Sequence, residues 1–528
     1  MKLFKATLTV GVLTMVSRVV GLVRDILTAS FLGAGLVADA FFVALRLPNF
    51  FRRVTAEGAF SVSFIPIYAR SSTTEGEDEA AQFAGDACSW MSFILAPLSI
   101  VFMIFMPAVI HLIAPGFADD PARFDMAVEM SRISFPYMLF ISLTALLGGV
   151  LNAHDRFGPF AAAPILFNLC LVVALLIGTK FTPSAGHAMA WGVSISGVLQ
   201  LALMFWFMRR YKISIKLRLP RITPKVKELG RLIGPGALGA GVVQVNLLVD
   251  TIIASFFAAG AISHLYYADR LNQLPLGVVG AAIATTLLPM LSRAVASNDP
   301  EEAKSLFSRA LEFCFFLSLP AATALLVIPV PILSVLFERG EFTRADTLVT
   351  AGVLMGYSIG LPAYVSMKVL ASASWAKHDT MTPVKMAIIS AILNIILAVG
   401  LSRIFGVAGI ALGTGIVGWI QFYLMWNALR GDEAASLDER AKRSLPLMLL
   451  ASALMGALLL GGVTVLHDQL NGSEIERLLS LGAVIAVGGL AYFALVFAFG
   501  IVKYAEVKAF LRRKKPEADQ QPVVPEIV

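Results

Sequence analysis

Long apolar runs, each of twenty residues or more, recur from one end of the chain to the other with short polar stretches between them. A helix rises about 1.5 Å per residue, so about twenty apolar residues in helical form span the ~30 Å of a bilayer's hydrocarbon. Fourteen such spans are predicted, at 6–33, 38–69, 85–114, 126–152, 159–179, 188–208, 232–259, 266–292, 308–334, 347–374, 382–401, 407–428, 445–466 and 478–501. The expected class is an all-α polytopic membrane protein.

Composition agrees: 58% of the 528 residues are hydrophobic and 15% charged, with a mean hydropathy of +0.80, which no soluble domain of this size matches. The positions of the charges give the orientation. Loops on the amino-terminal side carry 28 Lys and Arg and the opposite loops carry six, which predicts that both termini are cytoplasmic. The basic excess is thereby a topology signal plus intramembrane charge, and a nucleic-acid partner is excluded. Ser17, Arg18 and Arg24 interrupt the first apolar run, so it reads as an uncleaved span and not as a signal peptide. Cys88, Cys170 and Cys314 lie in apolar helical sequence with no disulfide or metal spacing, and the six histidines form no ligand pattern. Neither a metal nor a cofactor is expected.

The chain also repeats itself at an offset of 221 to 226 residues. Asp25-xxx-Ala29-Ser30-Phe31 returns as Asp250-xxx-Ala254-Ser255-Phe256, and Pro66-xxx-Arg70 as Pro289-xxx-Arg293. His154-Asp155-xxx-Pro159 returns as His378-Asp379-xxx-Pro383, and Gly186-x-Ala188-xxx-Gly192 as Gly409-x-Ala411-xxx-Gly415. Six spans, an even number, separate matched positions, so the halves share one orientation and should be related by an axis along the membrane normal. The predicted organisation is two pseudo-symmetric six-helix lobes, 1–212 and 213–430, then spans 13 and 14 in 431–503 and a cytoplasmic tail at 504–528. The basic segment between the lobes alternates Ile213, Ile215, Leu217 and Leu219, as expected of an extended strip on the anionic inner leaflet.

Eight basic residues lie inside predicted spans: Arg18, Arg24, Arg46, Arg52, Arg53, Arg132, Arg270 and Lys368. A central arginine costs ~2.5–3.5 kcal/mol in lipid, so the five in the first two spans must face water, an acid or an anionic ligand. At 100° per residue, Asp39, Arg46, Arg53 and Glu57 fall within about 40° of one another, and Arg18 shares a face with Asp25. Internal neutralisation would pair Arg53 with Glu57, Arg46 with Asp39, and Arg18 or Arg24 with Asp25. Three acids cannot neutralise five arginines, so a positive wall remains, and planar guanidinium suits phosphate oxygens. Arg132 and Lys368 lie nearer span ends, where long side chains reach the interface. Pro48 should kink the second span. Asp250 lacks the arginine that precedes Asp25, Val249 standing there, and is either a helix-packing partner or a cation-coupling carboxylate. No phosphate loop, Gly-x-Ser-x-Gly elbow or carboxylate pair with a catalytic surround is present.

The run Ser17-Arg18-x-x-Gly21-x-x-Arg24-Asp25, with Ala38-Asp39-Ala40-Phe41-Phe42, Leu47-Pro48-Asn49, Arg52-Arg53 and Ala56-Glu57-Gly58-Ala59-Phe60, closely resembles the lipid II flippases of the MurJ (MviN) family. These belong to the multidrug/oligosaccharidyl-lipid/polysaccharide exporter superfamily. The likeness continues through Tyr266-Tyr267-Ala268-Asp269-Arg270-Leu271. It implies a transporter and no enzyme: an inner-membrane flippase that moves lipid II to the periplasmic leaflet by alternating access through a cationic central cavity. Carried over residue by residue, it implies headgroup binding by Arg18, Arg24, Arg52 and Arg270 with Asp39, supported by Asp25, Arg46, Arg53 and Glu57. It further implies a groove for the polyprenyl tail at spans 13 and 14, and membrane lipids and the cell-wall synthesis machinery as partners. An acid often stands in the family where this chain has Gln273, which leaves open what steadies Arg270. The alternatives are a flippase for another polyprenyl-diphosphate oligosaccharide, a cation-coupled multidrug antiporter of the same fold, and, last, a membrane glycosyltransferase.

Overall fold

A computed structural model of the chain describes residues 2–55, 59–216, 218–296, 299–377, 379–431 and 433–501. Glu57, the side chain of Arg53 and the expected tail lie outside the described residues. Helices α1 (Lys2–Leu32), α2 (Leu36–Thr55), α3 (Ala59–Thr74), α4 (Glu77–Ile104), α5 (Met106–Ile113), α6 (Pro121–Ser134), α7 (Tyr137–Ala153), α8 (Gly158–Leu176) and α9 (Ala185–Arg210) build the first half. The second half holds α10 (Pro224–Ser255), α11 (Ala261–Ala296), α12 (Pro300–Val327), α13 (Pro329–Phe337), α14 (Arg344–Ala376), α15 (Met381–Phe405) and α16 (Val407–Ala428). The chain continues through α17 (Glu439–Val465), the short α18 (His467–Leu470) and α19 (Glu474–Ala498).

Each predicted span coincides with one of these helices or with two in tandem. Among the described residues, ten helical segments are long and apolar enough to cross a membrane, and they correspond to spans 3–6 and 9–14. The other four spans fall on α1, α2 with α3, α10 and α11, the helices that carry most of the intramembrane charge. Three of the tandem breaks have a proline at the start of the second helix: Pro107 in α5, Pro136 before α7 and Pro329 in α13. Proline suits a helix start because its missing N–H would have no partner there. Pro48 is different: α2 runs through it to Thr55. Backbone groups in lipid must be satisfied within the segment, and the side chains turned outward are apolar, such as Ile388, Ile392 and Ile396 on α15.

The repeat is visible in the packing. In the first half α1 packs on α8, α2 on α6, and α9 on α7 and α8. In the second, α10 packs on α15, α11 on α14, and α16 on α14 and α15. Two contacts lie on the axis that relates the halves. The rings of Phe42 and Tyr266, 224 residues apart, stack with centroids 3.9 Å from each other. Asp39 and Ser263, also 224 apart, are hydrogen-bonded. Beyond the repeat, α17 packs on α12, and α19 on α17 and α13.

The segment joining the halves is extended, as its alternation predicts, but it lies along α4. Lys216 is 2.6 Å from Asp78, Ser89 Oγ donates to the carbonyl of Arg218 and Trp90 Nε1 to that of Arg221. Leu219 and Ile222 stay exposed.

Candidate functional site

Between the halves lies a cavity of about 740 Å³. Its lining runs from Val10 and Thr14 near the start of α1, past Asn152 and Phe157 at the α7–α8 turn, to Asp25 and Arg270. At the opposite helix ends the halves are sewn together. Tyr267 Oη donates to the carbonyl of Gly33 at 3.0 Å, and the Glu341 N–H to that of Ser30 at 2.8 Å. Gly116 N donates to Ser255 Oγ at 3.0 Å. The cavity thus faces the side on which the chain begins.

Four guanidinium groups, those of Arg18, Arg24, Arg52 and Arg270, line this cavity, and among the described residues Asp25 is the one carboxylate that joins them. Arg24 is fixed from two sides. Its Nη2 and Nε approach Asp25 Oδ1 at 2.6 and 3.1 Å, and its Nη1 donates to Asn168 Oδ1 at 2.9 Å. Asn168 is itself held, donating to the Ser17 carbonyl at 3.1 Å, and it packs against Gly21. Arg270 comes from the other half. Its Nε lies 3.9 Å from Asp25 Oδ2 and its guanidinium 4.7 Å above the Tyr266 ring, while Tyr266 Oη donates to Asp25 at 3.4 Å. Asp25 therefore ties an arginine of each half to one point. Arg18 lies against the backbone of Gly277, where an added Cβ would stand 2.8 Å from its Nη2. Such preorganised forks around an open cavity have the geometry that suits an anion with several oxygens.

A second pocket of about 70 Å³ shares Leu45, Asn49, Arg270 and Gln273 with the cavity and adds Phe42, Arg46, Phe50, Leu248, Tyr266 and Asp269. Gln273 donates to Asp269. Arg270 is steadied by Asp25 and Tyr266 instead.

Asp39 is placed elsewhere than expected. It does not line the cavity; it is completely buried in the seam. Oδ2 lies 2.5 Å from Arg123 Nη2 and accepts from Gly260 N at 2.8 Å; Oδ1 accepts from the N–H and hydroxyl of Ser263 at 2.8 and 2.5 Å. An acid of one half thus caps the start of α11 in the other, where the helix dipole favours negative charge. Gly260 permits the approach: its φ of +102° is costly for a residue with a Cβ, and a Cβ there would meet the Ala34 carbonyl at 2.5 Å. The pairing of Arg46 with Asp39 is replaced by Arg123 with Asp39, because Arg123 also reaches the Phe257 carbonyl at 3.0 Å and covers the Phe117 ring at 3.9 Å. Of the other expected pairs, Arg24 with Asp25 forms, and Arg53 with Glu57 lies outside the described residues.

Asp250 is buried and accepts a hydrogen bond from Asn394 Nδ2 at 3.3 Å, and Thr414 Oγ1 donates to Asn394 Oδ1 at 3.2 Å. The helix-packing bond weighed for Asp250 is therefore present, and it mirrors the first half. Asn168 and Asn394 each stand 144 residues after the residue they bond, Arg24 and Asp250 respectively. Arg132 and Lys368 do not line the cavity; Arg132 Nε donates to the Met103 carbonyl at 2.9 Å at an exposed position.

Sequence reasoning missed Asn168, Asn49 and Arg123. The repeat carried a signal for Asn168, which Asn394 matches within the observed offsets. Arg123 had none, since it reads as an ordinary loop residue.

A family model described as "Lipid II flippase MurJ" matches residues 28–480. A "Probable lipid II flippase MurJ" from Rhizobium meliloti (strain 1021) is 40% identical over 97% of this chain and 97% of its own length. One from Rickettsia prowazekii (strain Madrid E) is 34% identical over 96% and 99%. Among solved structures, "Lipid II flippase MurJ, inward closed conformation" superposes with a TM-score of 0.77 at 26% identity, covering 94% of this chain and 99% of that one. An inward-facing multidrug transporter of the MATE family shares the fold, with a TM-score of 0.65 at 14% identity over 78% and 94% of the two chains.

Proposed function

The chain belongs to the lipid II flippase MurJ family, and from that premise we propose that its arginine-lined cavity is the seat of the diphosphate-linked headgroup during transfer. The chain is a multi-pass inner-membrane transporter, and its substrate is lipid II. Arg18, Arg24 and Arg52 from one lobe and Arg270 from the other would grip the diphosphate. Asp25 holds two of the four in register, so that little side-chain freedom is lost on binding. The observation that carries this reading is the excess of four guanidinium groups over one carboxylate in a cavity built from both lobes. It also disfavours a cation antiporter, whose cavity would need acids.

With both termini in the cytoplasm, a cavity facing the side of the N-terminus is inward-facing, loaded from the leaflet where lipid II is made. The seam around Asp39 is then the periplasmic gate. Opening it while the flank opposite closes would carry the headgroup across as the polyprenyl tail stays in lipid beside α17 and α19. The lobes are taken as 1–212 and 213–430, followed by 431–503 and the tail at 504–528. Asp250, with Asn394 and Thr414, offers carboxylate, amide and hydroxyl groups in one buried chain and is the proposed coupling-ion site. The cell-wall synthesis machinery is the proposed partner.

The test is leaflet accessibility of lipid II in cells depleted of the native flippase. Arg24→Ala and Arg52→Ala should insert yet leave lipid II in the inner leaflet, and Arg→Lys should recover part of the transfer because a bidentate fork is lost. Full transfer with both arginines replaced by alanine would refute the cavity assignment.

A further inference from the structure

The smaller pocket is built from matched positions of the two lobes. Phe42 and Tyr266, Leu45 and Asp269, Arg46 and Arg270, and Asn49 and Gln273 each lie 224 residues apart, and all eight line it. The stacked rings of Phe42 and Tyr266 mark the pseudo-two-fold axis, so Arg46 and Arg270 reach the same small space from opposite lobes as symmetry mates. Both Nε atoms are buried and neither makes a hydrogen bond, that of Arg270 lying 3.9 Å from Asp25 Oδ2. Two guanidinium groups on one small pocket favour an anionic acceptor there, since each carries five donors and no acceptor. The space, about 70 Å³, is several times the ~10–15 Å³ that one water needs, on the scale of a phosphate group.

The charge at this pocket is set by unlike residues at matched positions. Leu45 contributes none where its mate Asp269 is acidic, and Gln273 contributes none where an acid would give a second carboxylate. Of the residues lining the pocket, two are arginines and one, Asp269, is a carboxylate, which accepts from Gln273.

Resting on the reading of the cavity above, we propose that the axial pocket is a second anion subsite, in which Arg46 and Arg270 hold one phosphate of a diphosphate from opposite lobes. Arg270 lines both spaces and is the shared member. The first subsite, Arg18, Arg24 and Arg52, belongs to one lobe and can grip the anion without reference to the other. The axial subsite exists only while Arg46 and Arg270 face each other, so it reads the relative position of the lobes. Gln273 is the specificity-determining residue, because a carboxylate there would neutralise the pocket.

The probe is inorganic diphosphate, titrated calorimetrically into the purified full chain, with thermal unfolding to verify that each variant is folded. The wild type should show two binding steps, the tighter at the main cavity. Arg46→Gln should remove the weaker step and leave the tighter one, and Gln273→Glu should weaken that same step by about tenfold, a loss of ~1.4 kcal/mol. Arg46→Lys, which keeps charge and packing, should retain a weakened second step and guards against misfolding of the glutamine variant. Arg24→Gln should remove the tighter step instead. A single step in the wild type, or two steps untouched by both Arg46→Gln and Gln273→Glu, would overturn the axial subsite. Indifference to Arg24→Gln would instead overturn the cavity reading, so the two failures are distinguishable.

Discussion

Replacing Asp39 by asparagine should loosen the seam that closes the cavity. The carboxylate receives four donors there, from Arg123, Gly260 and both the backbone and hydroxyl of Ser263, and it is wholly buried. Asparagine keeps one carbonyl oxygen for Ser263, but it leaves the Arg123 guanidinium, only 4% exposed, without its counter-charge. Removing one member of a buried ion pair costs ~3–5 kcal/mol, most of it the desolvation of the partner left behind. When the seam opens, Arg123 regains water, so most of that cost falls on the closed state alone. At about 1.4 kcal/mol per decade, even the lower figure shifts the balance roughly a hundredfold toward the open seam. A chain with Cys88, Cys170 and Cys314 replaced by alanine and a single cysteine at Ala34 would report this through a membrane-impermeant maleimide applied from the periplasm. Ala34 is chosen because its carbonyl packs against Gly260 in the closed seam. Labelling should rise steeply in Asp39→Asn, and Arg123→Gln, which removes the cation too, should restore part of the closure in the double variant. Labelling equal to the parent in Asp39→Asn would refute the assignment of Asp39 to the gate.

Three further expectations follow from the same geometry. Gly277→Ala places a Cβ 2.8 Å from Arg18 Nη2, so it should displace that guanidinium and lower lipid II transfer several-fold while thermal stability changes little; unchanged transfer would mean that Arg18 has room elsewhere. Reporter fusions at Glu75, Lys212, Asp432 and Lys515 should report cytoplasm and those at Asp119 and Arg339 periplasm, and a periplasmic signal at Lys212 would break the parallel repeat. Asp250→Asn in proteoliposomes should abolish the response of flipping to an imposed ion gradient or membrane potential, of which 100 mV supplies about 2.3 kcal/mol per charge; a full response would make Asp250 a packing residue bonded to Asn394.

What the sequence made legible followed from long-range physics acting on single segments. Hydrophobic length gave the helices, and the repeat gave matched helix pairings in the two halves. The four arginines expected to share a site line one cavity. What it concealed were partnerships between distant segments. Helical projection placed Asp39 beside Arg46, since both lie on one face of α2, but projection says nothing about what stands opposite. A buried carboxylate takes the partners with the most donors, and those came from α6 and from the start of α11. Asp25 was assigned correctly to Arg24 because that contact is local. Gln273 was read as an absence, although its amide finds Asp269 one turn away. The second predicted span is two helices, and its Pro48 lies inside the first of them.

The contact between Asp39 and Ser263 bears on ancestry. In a symmetric dimer of two identical halves, a residue on the two-fold axis touches its own copy, since the interface is isologous. An aspartate there would meet an aspartate, two like charges a few ångströms apart in a dry seam, and a serine would meet a serine with no acid to cap the neighbouring helix. Neither arrangement makes the bond found here. The acid-and-donor pair is available only to a chain in which the halves are joined and free to differ, so the closure of this seam is a property of the fused protein, and two copies of either half could not reproduce it.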